Sequence, residues 1–242
     1  MQTVALIPAR YGSSRFPGKP LADLAGQPLI QRVLAQAQQV PEVMAVYVAT
    51  DDARIAAVVR AAGGQVVMTR SDHPSGTDRL AEAAAISGLA SDCLIINIQG
   101  DMAVFPPELI SQVVAPFQTG EEPAIATPIR PLAPDQAADP NVVKVVFDHL
   151  GYALYFSRAP IPHYRDGNGS IFYKHLGLYA YRQAFLQQYV RLPPGRWEQA
   201  EKLEQLRALE YGFRIRVVET EADTLEVDTP ADAQRVAAIL KP

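Results

Sequence analysis

The chain has 242 residues, 48% of them hydrophobic, which suffices for one substantial α/β domain or for a core domain carrying a smaller subdomain. Its 22 basic and 26 acidic residues leave a net charge of −4, which excludes bulk attraction to nucleic acid or anionic membrane, so any anion site must be built locally. The single cysteine, Cys93 in the apolar run "CLIINI", excludes an internal disulfide and reads as a buried core thiol rather than a nucleophile. The N-terminus "MQTVALIPAR" has no basic leader, and no window approaches the ~20 apolar residues of a membrane span, so the sequence reads as soluble and cytoplasmic.

In chain order, "VALIP" predicts a strand, "PLIQRVLAQAQQ" a helix with Leu29, Ile30, Val33, Leu34 and Ala37 on one face, and "AVYVAT" a second strand. The rhythm continues with "ARIAAVVRAA" as helix stopped by Gly63-Gly64, "QVVMT" as strand, "TDRLAEAAAIS" as helix and "CLIINIQ" as strand. Such alternation predicts an α/β fold on a doubly wound, mostly parallel sheet, whose ligands bind beyond the carboxyl ends of the strands. The polar loops fall there: "PARYGSSR", Asp51-Asp52, "RSDHPSGTDR" and "QGD". The second half changes character. "VVKVVFD" and "YALYFS" predict a hairpin across "HLG", and "YKHLGLYAYR" follows the polar loop "RDGNGS", so a smaller antiparallel element covers or extends the sheet, as a lid or a dimerisation arm. A helix from about Arg196 to Leu209, a strand "RIRVVE" and a last helix "PADAQRVAAIL", with Thr229 as N-cap, Pro230 at N1 and Asp232 at N3, complete the chain. The whole reads as a single domain, with its core in about 1–130 and 205–242 and the hairpin part in about 131–204.

The stretch "PARYGSSRFPGKP" approaches a P-loop and departs from it. Five residues separate Gly12 from Gly18, and Pro20 follows Lys19 where a magnesium-binding hydroxyl would stand. Arg10, Arg15 and Lys19, beside small Gly12, Ser13 and Ser14, form a receptor for a polyanion; the bland alternative is a solvated basic loop. Asp101 follows a buried run, where an isolated carboxylate is costly, and Asp228 lies likewise between "TLEV" and the last helix. Two carboxylates at strand ends can share a hard cation that bridges nucleotide phosphates, although Asp228 can equally serve only the helix dipole. Ser75, Gly76 and Thr77 suit a base edge or a helix cap. Arg158 and His175, polar within apolar stretches, suit a sugar carboxylate or hydroxyl, and for His175 a satisfied core histidine is the alternative.

The segments "IPARYGSSRFPGKPL", "VATDD", "SGTDRLAEA", "INIQGD", "ALYFSRAPIP", "YKHLGLYAYR", "EKLEQLRALEYG" and "VDTPADAQRV", in order over nearly the whole chain, closely resemble the 3-deoxy-manno-octulosonate cytidylyltransferase (CMP-Kdo synthetase) family. The resemblance implies a Rossmann-like nucleotidyltransferase fold, usually a homodimer, that converts CTP and a 3-deoxy-octulosonate to the CMP-sugar and pyrophosphate with Mg2+, on the way to lipopolysaccharide. It implies that Ala9, Arg10, Ser13, Arg15 and Lys19 hold the triphosphate, with Arg10 and Lys19 as the main cations. Ser75 and Gly76 fall on the cytosine side, and Asp101 and Asp228 match the magnesium carboxylates. Gln99, Arg158, His175, Tyr179, Glu204 and Gln205 fall where the family binds the sugar acid.

One departure stands out: after "QGD" the family usually continues with an acidic or amide residue and proline, whereas Met102 and Ala103 stand here. With its short loop "RDGNGSIFYKH" and with "GKP", "YVATDD" and "EKLEQLRALE", the chain also looks at least as close to the branch that takes an 8-amino-8-deoxy octulosonate as to the ordinary one. The rivals are a cytidylyltransferase for another 2-keto sugar acid, such as a sialate, and a nucleotide-binding relative with impaired catalysis.

Overall fold

A computed structural model describes residues 1–12, 15–166 and 171–240. The first half follows the expected alternation: β1 (Thr3–Pro8), a small hairpin of β2 (Asp23–Leu24) and β3 (Gln27–Pro28), α1 (Leu29–Ala37), β4 (Ala45–Thr50), α2 (Ala53–Ala61), β5 (Gln65–Met68), α3 (Gly76–Ile86) and β6 (Leu94–Asn97). The five apolar residues named for α1 are all buried. Asp52 caps α2 by accepting from the Arg54 and Ile55 N–H groups, and Gly63, at φ 74°, ends it in a left-handed turn. Beyond β6 come β7 (Met102–Val104), α4 (Glu108–Gln118), β8 (Ile125–Leu132), β9 (Lys144–Phe147), β10 (Ala153–Ser157), β11 (Phe172–His175), β12 (Tyr179–Arg182) and α5 (Gln183–Tyr189). The chain ends with α6 (Arg196–Glu201), α7 (Gln205–Glu210), β13 (Ile215–Glu219), β14 (Leu225–Glu226) and α8 (Pro230–Leu240).

One sheet runs in the order β10-β9-β11-β8-β12-β6-β1-β4-β5, with β13 paired to β8. Around β1 every pairing is parallel; β12 pairs antiparallel with β6, and from there outward only β13 restores a parallel partner. The expected hairpin is β9–β10, and with β11 it extends the sheet edge. Successive residues of β1 alternate between two cores, Ala5 and Ile7 packing with α1 and α4, Val4 and Leu6 with α3. The sheet is therefore covered on both faces, as a parallel centre requires. Among the described residues no helix is long and apolar enough to cross a membrane. Cys93 is buried in the second of these cores.

The helix expected from Arg196 to Leu209 is instead two short helices. Lys202, at φ 55° and ψ 47°, breaks it. Long-range bonds override the helical periodicity: the Glu210 carboxylate accepts from the N–H groups of Arg196, Trp197 and Glu198, and Glu198 forms a buried ion pair with Arg207. α7 must fold back on α6 for both contacts to form.

Candidate active site

Three loops converge on the end of β1. A side chain at Gly100 would come within 2.5 Å of the Pro8 carbonyl oxygen, so only glycine lets the "QGD" loop lie this close, whereas a Cβ at Gly76 would meet the Pro8 ring in ordinary contact. The basic loop is folded by its own residues. Gly18, at φ 73°, donates its N–H to the Tyr11 carbonyl and lies under the Tyr11 ring. The Arg54 guanidinium stacks 3.4 Å from the Tyr11 ring centroid and is held from below by Asp52, whose pKa is lowered to about 2 by the bond to Arg54. A short 3-10 turn then starts at Lys19.

Lys19 Nζ lies 2.7 Å from Asp101 and 3.2 Å from Asp228, while Arg15 pairs with Asp228 at 3.0 Å. The two aspartates are brought together by a second, two-stranded sheet in which β14 pairs antiparallel with β7, closed by a Val227 N–H bond to the Asp101 carbonyl. The outer edge of β7 is held by Gln36 of α1, whose amide donates to the Ala103 carbonyl at 2.8 Å and accepts from the Phe105 N–H at 2.9 Å. Met102 and Ala103, the departure seen in the sequence, are buried core residues of β7. The cap of α8 is Thr229, which exchanges bonds with Asp232, so the Asp228 carboxylate is not spent on the helix terminus. Both carboxylates converge on one cation, and this donor set fits a Mg2+ ion, which takes one or two protein carboxylates and completes its shell from phosphates and water.

Beside this cluster opens a cavity of about 770 Å³. On its far wall the Tyr179 hydroxyl donates to Gln205 Oε1 at 3.3 Å, and Thr77 of α3 donates to Glu204 at 2.7 Å. Gln205 Nε2 is buried without a partner beside the cavity, a donor in want of an acceptor. Burial raises the pKa of Glu204, against the Thr77 and Ser75 bonds that lower it. His175 is buried and its pKa is pulled down to about 3 by desolvation and then by Lys174, so it is neutral. Thr127 spends its one hydroxyl proton on the Leu178 and Leu176 carbonyls, so His175 Nε2, 2.9 Å away, must be the donor to Thr127, leaving Nδ1 as the ring acceptor.

The structure thus gathers Lys19, Arg15, Asp101 and Asp228 at one end, and Gln99, His175, Tyr179, Glu204 and Gln205 around the cavity. Arg10 is exposed just beyond β1, whereas Ala9 is buried with its N–H bonded to Ala49. Ser75 caps α3 through the Asp78 N–H, and Gly76 lines the cavity. Ser13 lies outside the described residues, as do residues 167–170 of the "RDGNGS" loop. Arg158 does not line the cavity: its guanidinium donates to the Glu201 and Pro140 carbonyls at 2.8 Å each. Sequence reasoning passed over Asn97, which holds the Gln99 amide, and Glu226, a cavity carboxylate whose pKa rises to about 7 through desolvation and its neighbour Asp101. The only signal for Glu226 was its polar place in the alternation "TLEVD".

A cytidylyltransferase family model matches residues 4–216. A 3-deoxy-manno-octulosonate cytidylyltransferase of Syntrophus aciditrophicus is 51% identical over 98% of this chain and 96% of its own. An 8-amino-3,8-dideoxy-manno-octulosonate cytidylyltransferase of Shewanella pealeana is also 51% identical, over 96% of this chain. Among solved structures, a CMP:2-keto-3-deoxy-manno-octonic acid synthetase complexed with CTP superposes with a TM-score of 0.94 at 45% identity, covering 99% of this chain and 98% of its own. With the nucleotidyltransferase sheet, the basic loop and the paired aspartates already in place, these likenesses show that the chain belongs to the 3-deoxy-manno-octulosonate cytidylyltransferase family.

Proposed function

We propose that the protein transfers the cytidylyl group of CTP to the anomeric 2-hydroxyl of a 3-deoxy-octulosonate, giving the CMP-sugar and pyrophosphate. The observation that carries this reading is one cavity lined by Arg15 and Asp228 of the cation-and-carboxylate cluster, with the neutral hydroxyl-binding groups His175, Tyr179 and Gln205 also in its lining. The sugar hydroxyl oxygen attacks the α-phosphorus, the bond to the bridging oxygen of the β-phosphate breaks in line to release pyrophosphate, and the hydroxyl proton passes to solvent water. Arg10, Arg15 and Lys19 neutralise the triphosphate and the charge building on pyrophosphate. Asp101 and Asp228 hold magnesium, which when bound polarises phosphate oxygens and acidifies the attacking hydroxyl. Gln205 Nε2 supplies its unused proton to a sugar oxygen, and the neutral His175 and Tyr179 orient sugar hydroxyls. Gly76 and Ser75 face the cytosine. The product serves lipopolysaccharide assembly, and the active protein is a cytoplasmic homodimer.

The equal identity of the Shewanella relative supports a second substrate, the 8-amino sugar acid. Pyrophosphate release from CTP and magnesium is measured with each sugar in turn, and release with one or both is expected. Absence of release with both overturns the reading.

A further inference from the structure

The cavity that receives the sugar acid is walled by carboxylates, among them Asp139, Glu204, Asp223, Glu226, Asp228 and Asp232. An anionic substrate needs cations there that are not already neutralised. Among the described lining residues, Arg15 is paired with Asp228, Lys174 with Asp223 and Arg235 with Asp232. Arg158, outside the lining, has its guanidinium occupied by two backbone carbonyls. Lys202 differs from all of these. It lines the cavity, it is exposed, and among the described residues its ammonium has neither a carboxylate nor a hydrogen-bond partner.

Its backbone is also unusual. Lys202 carries its side chain at φ 55°, a conformation natural to glycine and disfavoured for any residue with a Cβ. A glycine would make the joint between α6 and α7 with less strain, yet a cation stands there. The residues that follow are Leu203, which is buried, and then Glu204 and Gln205 on the cavity wall. One joint therefore presents an ammonium and two hydroxyl-binding groups side by side, and the flexible stem of lysine lets its charge reach across the opening.

We infer that Lys202 is a substrate-binding residue that takes the carboxylate of the sugar acid, an assignment that rests on the reaction proposed above. The alternative is that Lys202 only shapes the joint.

Lys202→Gly separates the two, because glycine removes the charge while relieving the backbone. If Lys202 binds the carboxylate, KM for 3-deoxy-manno-octulosonate rises about tenfold or more, as expected for one charge-assisted contact, with KM for CTP unchanged and the melting temperature equal or higher. Lys202→Arg then keeps the sugar KM within about threefold of wild type. An unchanged sugar KM in Lys202→Gly, or an equal rise for both substrates, overturns the inference while the wild type still turns over. A wild type that releases no pyrophosphate overturns the reaction and this inference together.

Discussion

Lys19 faces two carboxylates at once, and its side chain is mostly shielded from solvent, 14% exposed. Such a cation offsets the repulsion between Asp101 and Asp228 and, in the reaction proposed above, stands beside the triphosphate. Lys19→Met should therefore lower kcat/KM by about 10- to 150-fold, the loss of a charge-assisted contact of roughly 1.5–3 kcal/mol. Adding Asp101→Asn should cost less than its effect in the wild-type background, since the repulsion released by the first change is relieved by the second; strict additivity in the double-mutant cycle would count against this coupling. Arg158 behaves differently because its guanidinium ties β10 to α6 and to residue 140. Arg158→Lys cannot make both carbonyl bonds with the same fork, so a lowered melting temperature is expected with the two KM values moving together. A selective rise in the sugar KM would instead put Arg158 in the substrate site. The family resemblance put Arg158 on the sugar side, and its permanent charge and bidentate fork suited it to the carboxylate. Its partners are backbone carbonyls, which no residue pattern announces.

At the level of elements, the aspartate pair depends on β7, three residues long, held on one side by β14 and on the other by the Gln36 amide. Gln36→Leu leaves a carbonyl and an N–H of that strand without partners, which should destabilise the fold by about 1–3 kcal/mol and depress kcat as Asp101 loses its fixed place. A melting curve and a turnover assay check this; an unchanged kcat would show that β14 alone positions Asp101. The first half of the sheet was legible because each strand and helix there carries its own period and its own stop, as in α1 with its five apolar positions and α2 with Asp52 and Gly63. β7 was not legible, and of β14 only the strand end at "TLEV" showed, not its pairing, since strands of three and two residues have no period and form only by meeting each other. The break at Lys202 was hidden for a related reason: "EKLEQLRALE" is helical throughout by composition, and the caps and ion pair that fold α7 back come from tertiary contact.

For the whole molecule, two titrating groups set opposing pH trends. His175, held near 3 by burial, leaves the unfolded chain with the extra proton between about 3 and 6.5, so stability falls as pH drops through that window. Glu226, raised to about 7 by desolvation on the cavity wall and by its neighbour Asp101, is nonetheless exposed to solvent, so the proton it keeps above 4.5 in the folded protein gives only a weak, screened loss of stability as pH rises toward 7. Between 4.5 and 6.5 the Glu226 trend offsets part of the His175 trend. In magnesium-free buffer, His175→Gln should therefore show a melting temperature that declines from pH 4.5 to 7, and Glu226→Gln one that climbs from pH 3 to 6.5. Identical profiles for both variants and the wild type would show that neither group is perturbed as described. The overall α/β architecture could be read from the sequence because alternation is a chain-wide signal, whereas the antiparallel extension depends on which edges meet. The β7–β14 ladder also fixes when the site comes into being. Lys19 and Asp228 lie 209 residues apart along the chain, and a two-residue strand gains too little to form before the large sheet that frames it. The aspartates can be joined only once the last segment of the polypeptide has docked. A folding intermediate with the complete parallel sheet would thus be well ordered and chemically silent, and the Val227 amide would be among the last to gain protection from exchange with solvent.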